Sequence, residues 1–227
     1  MNRIAWMAGV CVLAAGIVEA QTGNARIRVL HASPDAPAVD VLVDGTTVLE
    51  NLPFREYSEY LPVPAGMHEV RVNVTGTSTT VLQAAPNFQA GRDYTAIAVG
   101  FAGGRSPALD LMLLSDDNAV PAAGNIRLRV VHAAPSAPAV DVYLTTPFEA
   151  LGNKSAALSN VPFKAASGYS QVPVSLYQAR VTPAGTKTVA IDSHRLATWN
   201  GMVRTIVAVD SKGGGAPFDF VILPDLF

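Results

Sequence analysis

The sequence predicts an all-β protein made of two tandem immunoglobulin-like β-sandwich domains that follow an N-terminal signal peptide. Three observations predict this class. An eleven-residue phrase occurs twice, as HASPDAPAVDV from His31 and as HAAPSAPAVDV from His132. Apolar residues alternate with polar ones at the period of two that is typical of strands, and glycines and prolines separate these stretches. No stretch keeps the 3.6-residue period of an amphipathic helix.

The first twenty residues, 1–20, differ from the rest of the chain and predict a signal peptide. Arg3 gives a positive start, residues 4–18 are apolar or small, and Val18-Glu19-Ala20 is a site that a signal peptidase could accept. We therefore expect a secreted or periplasmic protein with no membrane span after cleavage; an uncleaved anchor is the alternative. The single cysteine, Cys11, lies in this segment, so no disulfide or thiolate site is expected in the mature chain.

The remainder of the chain aligns with itself. Twelve of the seventeen residues from Arg26 to Leu42 are identical in the second copy. NLPF at Asn51 matches NVPF at Asn160, and the second copy carries eight extra residues before it. The turn formers and the proline of DNAVPAAG are those expected between two units. The repeat predicts a first domain, a linker and a second domain, at 24–116, 117–124 and 125–227.

Individual strands are readable in the first copy. Residues 39–43 alternate at period two and run into an Asp44-Gly45 pair that predicts a hairpin turn. The strand at 26–31 is expected to pair with the strand at 39–44 as its antiparallel neighbour. Further strands are predicted at 68–74, 79–84, 94–100 and 108–114.

The repeated phrase has a structural interpretation. The histidine ends the core-facing row of the first strand, where an imidazole can bond the backbone of the loop that follows. The aspartate is expected to lie diagonal to an arginine across the strand pair. The prolines stiffen the loop, and Asp35, or Ser136 in the second copy, can accept bonds from nearby amides. The motif residues are His31, Pro34, Asp35, Pro37, Asp40, His132, Pro135, Pro138 and Asp141.

These segments resemble a known family. RVLHASPDAPAVDVLVDG, LPVPAGMHEVRV, YTAIAVG and ALDLMLLSDD are similar to the bacterial exported family called domain of unknown function 4397. The second copy resembles it with more drift, because it has lost the Asp-Gly turn and gained the loop TTPFEALGNKSAAL. The resemblance implies a secreted or envelope-associated β-sandwich module that often occurs in tandem. It brings no activity and no site residues to this chain.

Composition and spacing argue against several kinds of partner. Charged residues make up 15% of the chain and its formal net charge is -2, which leaves no basic stripe for a phosphate backbone. We therefore expect no nucleic acid as a partner. Zinc and calcium motifs are absent from the sequence, and the glycine runs lack the spacing of a phosphate-binding loop. No cofactor or metal is expected.

A hydrolase is one reading of the motif. Ser33 could act as the nucleophile and His31 as the base, with Asp35 or Asp40 orienting the imidazole. A serine nucleophile needs a strained elbow, and the sequence has no G-x-S-x-G. Ser33 is also replaced by Ala134 in the second copy. The sequence therefore favours a structural role for the motif over catalysis.

Loops and aromatic residues give the candidate binding surface, because rigid sandwiches usually carry function on their loops. The candidates are Tyr57, Tyr60, Phe148 and Leu151, although aromatic residues also fit a packing role at the sandwich edge. We expect a non-catalytic protein with a binding, adhesion or structural role toward an envelope or extracellular ligand, a polysaccharide or a protein. Carbohydrate binding is the alternative, and a hydrolase using His31 and Asp40 is the less favoured one.

Overall fold

The computed structural model describes residues 23–226, which form strands, turns and loops without a helix. This part of the chain confirms the all-β class. Within it no helical segment could cross a bilayer. The predicted signal peptide at 1–20, with Cys11, lies outside the described residues. The strands are β1 Asn24–His31, β2 Val39–Val43, β3 Thr46–Leu52, β4 Leu61–Pro64, β5 Gly66–Met67, β6 Val70–Val74, β7 Thr80–Ala84, β8 Asn87–Phe88, β9 Asp93–Val99, β10 Asp110–Asp116, β11 Asn125–His132, β12 Val140–Thr145, β13 Leu158–Val161, β14 Ser170–Pro173, β15 Leu176–Pro183, β16 Ile191–Asp192, β17 Leu196–Ala197, β18 Val203–Val209 and β19 Asp219–Leu226.

The first half of the chain, 24–116, contains two four-stranded sheets that share an apolar core. One sheet has the order β10-β9-β1-β4, in which β1 and β9 are parallel and the other pairs are antiparallel. The other sheet has the order β3-β2-β6-β7 and is antiparallel throughout. Ile27 and Val29 of β1 meet Val39 and Val41 of β2 in the core between the sheets. The first half is therefore a β-sandwich.

The second half, 125–226, repeats this arrangement, with the single strand β15 in the place of β5 and β6. Its sheets have the orders β14-β11-β18-β19 and β13-β12-β15-β16, and β17 pairs with the start of β15. The parallel pair of the first half recurs as β11 and β18. The duplicated sequence thus folds into a duplicated topology, and the immunoglobulin-like character of each sandwich stays a prediction.

The expected pairing of the strands at 26–31 and 39–44 is wrong. β1 pairs with β4 and β9, whereas β2 pairs with β3 and β6 in the other sheet. The proline loop carries the chain across the roughly 10 Å between the sheets. Period two places the same residues in the core whether two strands lie side by side or face to face, so the pattern alone could not separate these cases.

Several local predictions are confirmed. The Asp44-Gly45 pair joins β2 to β3 as a two-residue hairpin, and its residues have φ angles of 49° and 79°. Two positive φ angles define the type I′ turn that Asp-Gly favours. The strands predicted at 79–84, 94–100 and 108–114 correspond to β7, β9 and β10, displaced by one or two residues.

The two halves share an apolar core where the sheet of β1 packs against the sheet of β11. Leu30 and Ile97 of the first half meet Val131 and Val207 of the second, and all four side chains are fully buried. Alternate residues of a strand face opposite ways, so Ile27 and Leu30 belong to different cores. The sheet of β1 is therefore covered on both faces, which explains why β9 is almost continuously buried.

Candidate functional site

The repeated histidine ends β1 and is bonded to the proline loop. His31 is 1% exposed, its Nε2 lies 2.9 Å from Pro37 O, and its Nδ1 accepts from the Ser33 N–H at 3.3 Å. The Phe54 ring meets the imidazole edge-on, with centroids 6.0 Å apart. This bonding fits a neutral ring with its proton on Nε2. Burial lowers the pKa of His31.

The second copy repeats these contacts. His132 Nε2 lies 3.0 Å from Pro138 O, Nδ1 accepts from the Ala134 N–H at 3.3 Å, and the Phe163 ring stands edge-on at 6.2 Å. Burial also lowers the pKa of His132. The bond to Ser33 and the bond to Ala134 both come from the backbone, so the serine side chain is not needed for this arrangement.

Stability is expected to fall as the pH falls below 6.5, the ordinary pKa of histidine. The pKa values of His31 and His132 are lowered in the folded protein, so the unfolded chain binds protons first and acid favours unfolding. Each histidine contributes at most about 1.4 kcal/mol per pH unit between its two pKa values. Urea unfolding at pH 8 and pH 5.5 measures the effect. The double variant His31→Gln/His132→Gln should lose most of this dependence, and an unchanged dependence would contradict the assignment.

The repeated aspartate joins three chain segments through backbone amides. Asp40 accepts from the Asn51 N–H at 2.8 Å and from the Gly76 N–H at 3.0 Å. In the second half Asp141 accepts from the Asn160 N–H and from the Gly185 N–H, both at 2.8 Å. The amide bonds lower the pKa of both carboxyl groups. The expected diagonal contact with an arginine is wrong, because β1 and β2 lie in different sheets.

A second carboxylate in each half ties the proline loop to a neighbouring loop. Asp35 accepts from the Ala102 N–H at 2.7 Å and from the Gly103 N–H at 3.1 Å. In the second half Ser136 replaces Asp35, and Asp210 supplies the carboxylate from the opposite loop by accepting from the Ser136 N–H at 3.2 Å. The same tie is thus made with the acid on the other side.

The prolines of the motif divide by burial. Pro34 and Pro135 are buried, whereas Pro37 and Pro138 are exposed. Pro34 O also accepts from the Gly213 N–H of the second half at 2.7 Å. The first proline loop therefore contributes to the contact between the halves as well as to its own sandwich.

The residues of the hydrolase hypothesis are not brought together. Both ring nitrogens of His31 face backbone atoms, and Asp40 is occupied by amides of other segments. Ser33 Oγ lies 3.5 Å from Asp35 Oδ1. Within residues 23–226 no hydrogen bond links His31 to Asp40, and no group of three or more metal-ligating side chains occurs. The geometry of the motif holds loops in place.

A buried network of arginine and aspartate links the two halves, and the sequence analysis missed it. Arg28 of the first half donates from Nε to Thr95 Oγ1 at 2.9 Å and from Nη1 to Pro224 O at 2.9 Å. Its Nη2 forms an ion pair with Asp225 of the second half. The side chains of Arg28 and Asp225 are 2% and 0% exposed.

Arg129 of the second half makes the equivalent contacts in the opposite direction. It donates from Nε to Thr205 Oγ1 at 3.0 Å, from Nη1 to Ser115 O at 3.1 Å and from Nη2 to Asp116 Oδ1 at 2.5 Å. Each half therefore gives an arginine to the other half and receives one. This pairing is two-fold symmetric, and both ion pairs are buried.

Tyrosines complete the network. Tyr60 donates its hydroxyl to Asp116 Oδ2 at 2.6 Å and lies 4.9 Å from the Arg28 guanidinium. Tyr169 does the same for Asp225 at 3.0 Å and Arg129 at 4.6 Å. Burial, followed by the adjacent carboxylate, raises the pKa of both phenols. Tyr60, one of the predicted binding residues, is therefore partly buried and engaged in this network, and a binding role for it stays a prediction.

The model of the family described as "Domain of unknown function (DUF4397)" matches residues 25–143. The chain belongs to this family. The match contains the first phrase, 31–41, and the second phrase, 132–142, and it ends one residue later. No curated protein matches the sequence of this DUF4397 protein.

Three solved structures are similar to this DUF4397 protein at low identity. The Bacillus anthracis TIE protein is 11% identical with a TM-score of 0.26, over 85% of this chain and 34% of its own. A streptococcal virulence factor that binds α-glucan is 12% identical with a TM-score of 0.25, over 80% of this chain and 91% of its own. The CBM26 module of Eubacterium rectale Amy13K, solved with maltoheptaose, is 8% identical with a TM-score of 0.27, over 88% of this chain and 96% of its own. The chain spans about a third of the length of the first protein, and none of these scores supports an argument about function.

The four residues predicted as binding candidates differ in how far the DUF4397 protein exposes them. Leu151 is 7% exposed, and Tyr57 packs against the core that the two halves share, as Tyr60 does against its arginine. Phe148 is the most exposed of the four, with 75% of its surface in solvent. Three of the four candidates therefore have packing contacts, and a binding role for the set stays a prediction.

The inserted loop of the second half, 146–157, holds Phe148 in an unfavourable backbone conformation. Its φ angle is 64°, a left-handed value that costs a residue with a side chain about 1–2 kcal/mol. The Phe148 N–H donates to Gln178 Oε1 at 2.7 Å, and Gln178 is itself buried and donates to Asp192 at 2.8 Å. Leu151 anchors the same loop. These contacts fix the backbone of the loop at Phe148, whose ring lies in solvent.

Proposed function

We propose that this DUF4397 protein is an exported, non-catalytic protein that binds polysaccharide in the cell envelope or outside the cell. Two tandem immunoglobulin-like β-sandwich domains, 24–116 and 125–227, form its scaffold, and the linker 117–124 joins them. In this proposal the repeated motif is a structural corner. The polar groups of His31 and Asp40 are used by backbone atoms, which supports a scaffold role over a catalytic one.

The exposed Phe148 ring is the observation that carries the binding role. Strained backbone tends to occur where function requires it, and here the strain places an apolar ring in water. A sugar ring has a flat face of C–H groups that packs on an aromatic ring while its hydroxyl groups stay hydrated. The insertion that carries Phe148 has no counterpart in the first half.

Affinity electrophoresis in gels that contain soluble envelope polysaccharide tests this function. The mature chain is expected to migrate more slowly in such a gel. Phe148→Ala is expected to bind about two- to tenfold more weakly, since one stacking contact contributes about 0.5–1.5 kcal/mol. Met67→Ala is the matched control, because Met67 of the first half is 73% exposed. The proposal fails if no polysaccharide retards the protein, or if Phe148→Ala and Met67→Ala migrate alike.

A further inference from the structure

A row of exposed side chains continues from Phe148 along the second half. Arg195, Ala197 and Trp199 are exposed, whereas Leu196 and Thr198 between them are partly buried. This alternation around the short strand β17 is the pattern of side chains that share one face. The Arg195 guanidinium lies 5.3 Å from the centroid of the Phe148 ring. We call Phe148, Arg195, Ala197 and Trp199 the aromatic stripe. At the rise of an extended chain, Arg195 and Trp199 are roughly 13 Å apart.

Trp199 forms the far end of the stripe beside a groove. The indole is 54% exposed, and the Arg204 guanidinium lies 5.2 Å from its centroid. Arg204 Nη1 also donates to Val203 O at 2.8 Å, so the indole rests on an anchored cation. The groove has a volume of about 200 Å³ and apolar walls. Its lining includes Leu128, Leu196, Met202, Ile206 and Ile222.

The first half has no such stripe. At the equivalent place Phe88 and Tyr94 are buried and pack together, with ring centroids 5.3 Å apart. Register equates Phe88 with Thr198, because these residues follow the matched pairs Met67–Asn87 and Leu176–Ala197. By the same alignment Tyr94 corresponds to Arg204, and Trp199 corresponds to a glutamine. The second half has thus exchanged two filling rings for an open groove with an exposed indole at its edge.

The charge of the stripe indicates what it would bind. Among residues 23–226 no carboxylate is within ion-pair distance of the Arg195 guanidinium, whose contact is with the Phe148 ring. The nearest acid in sequence, Asp192, accepts bonds from the buried Gln178. Arg195 is therefore available to pair with an anion while the two rings pack on apolar faces.

We propose that the aromatic stripe binds an acidic polysaccharide, one whose sugar rings carry carboxylates. This inference rests on the proposed function and names the class of polysaccharide. The C–H faces of two sugar rings pack on Phe148 and Trp199, and a carboxylate between them pairs with Arg195. A nucleic acid also combines flat rings with negative charge, but a phosphate backbone calls for a longer row of cations than Arg195 and Arg204 provide.

The test compares two polymers that share one sugar backbone, the first with free carboxylates and the second with neutral methyl esters. Polygalacturonate in the gel is expected to retard the mature protein at least tenfold more strongly than its fully methyl-esterified form, and added salt should weaken the retardation. Trp199→Ala and Arg195→Gln should each reduce the affinity for polygalacturonate about tenfold. Arg92→Gln is the matched control, because Arg92 is an exposed arginine of the first half.

The outcomes separate this inference from the function on which it rests. Equal retardation by both polymers would show that the carboxylates are not recognised. Equal retardation by single-stranded DNA and polygalacturonate would show that the ligand class is not specifically an acidic polysaccharide. Either result overturns this inference. The stripe is also wrong if Phe148→Ala loses binding while Trp199→Ala and Arg195→Gln keep it; polysaccharide binding itself then still stands. If no polysaccharide of either charge retards the protein, the proposed function and the inference both fail.

Discussion

Arg28→Met is expected to destabilise the folded protein by about 3–5 kcal/mol, because it leaves the Asp225 carboxylate buried without its ion-pair partner. The same variant removes the donors to Thr95 and to Pro224 O. Arg129→Met should cost a similar amount, since Arg129 makes the equivalent contacts in the other direction. Urea-induced unfolding gives the free energies.

Arg26→Met is the matched control for this measurement. Arg26 belongs to the same strand as Arg28 and pairs with Asp93 at 2.6 Å, but its side chain is 57% exposed. An exposed ion pair contributes about 0–1 kcal/mol. If Arg28→Met and Arg26→Met cost the same, the buried network is not a principal source of stability.

The first half expressed alone, as residues 21–117, is expected to be unstable as a folded monomer and to form a dimer. Separation exposes Leu30, Ile97 and Met112, which the second half covers in the full chain. It also leaves Arg28 without Asp225. Asp116 is the equivalent of Asp225 in the first half, so two copies can exchange Arg28 and Asp116 across a two-fold axis in the manner of the full chain.

Sedimentation velocity at several concentrations tests this expectation. The isolated half should sediment as a dimer at micromolar concentration and lose its β-sheet circular dichroism as dilution dissociates it. Asp116→Asn should weaken the dimer, whereas Asp93→Asn, which changes the pair with the exposed Arg26 of the same half, should not. A monomeric half with native-like secondary structure at all concentrations would show that the shared core is dispensable.

Local features of the fold were predictable from the sequence. The Asp44-Gly45 turn and the strand periods of β7, β9 and β10 depend on neighbouring residues, and they are found close to the predicted positions. Strand pairing was not predictable, because it depends on which sheet each apolar row joins. The histidine motif is bonded to its own loop, six residues away, so its local geometry could also be anticipated.

The network between the halves was out of reach for a local reading. Arg28 and Asp225 are 197 residues apart in the chain, and nothing near either residue indicates the other. The signal that could have pointed to them is the repetition of a full set in both copies. That set is Arg28, Tyr60, Thr95 and Asp116, with Arg129, Tyr169, Thr205 and Asp225.

The exposed aromatic residues show a second limit. Phe148 and Leu151 lie in one inserted loop and look equally apolar in the sequence, yet one is exposed and the other is the anchor. Only packing decides which residue has which role. Trp199 carried a readable signal, because a tryptophan replaces a polar residue of the first copy at that position.

The crossed arginines limit how the two copies can diverge. A substitution at either crossing point acts on both halves at once, so neither copy can drift there without a matching change in the other. Residues on surfaces away from this interface are not constrained in this way. One half can therefore diverge to bind a ligand, while the other half remains a rigid support that fixes the orientation of the binding face.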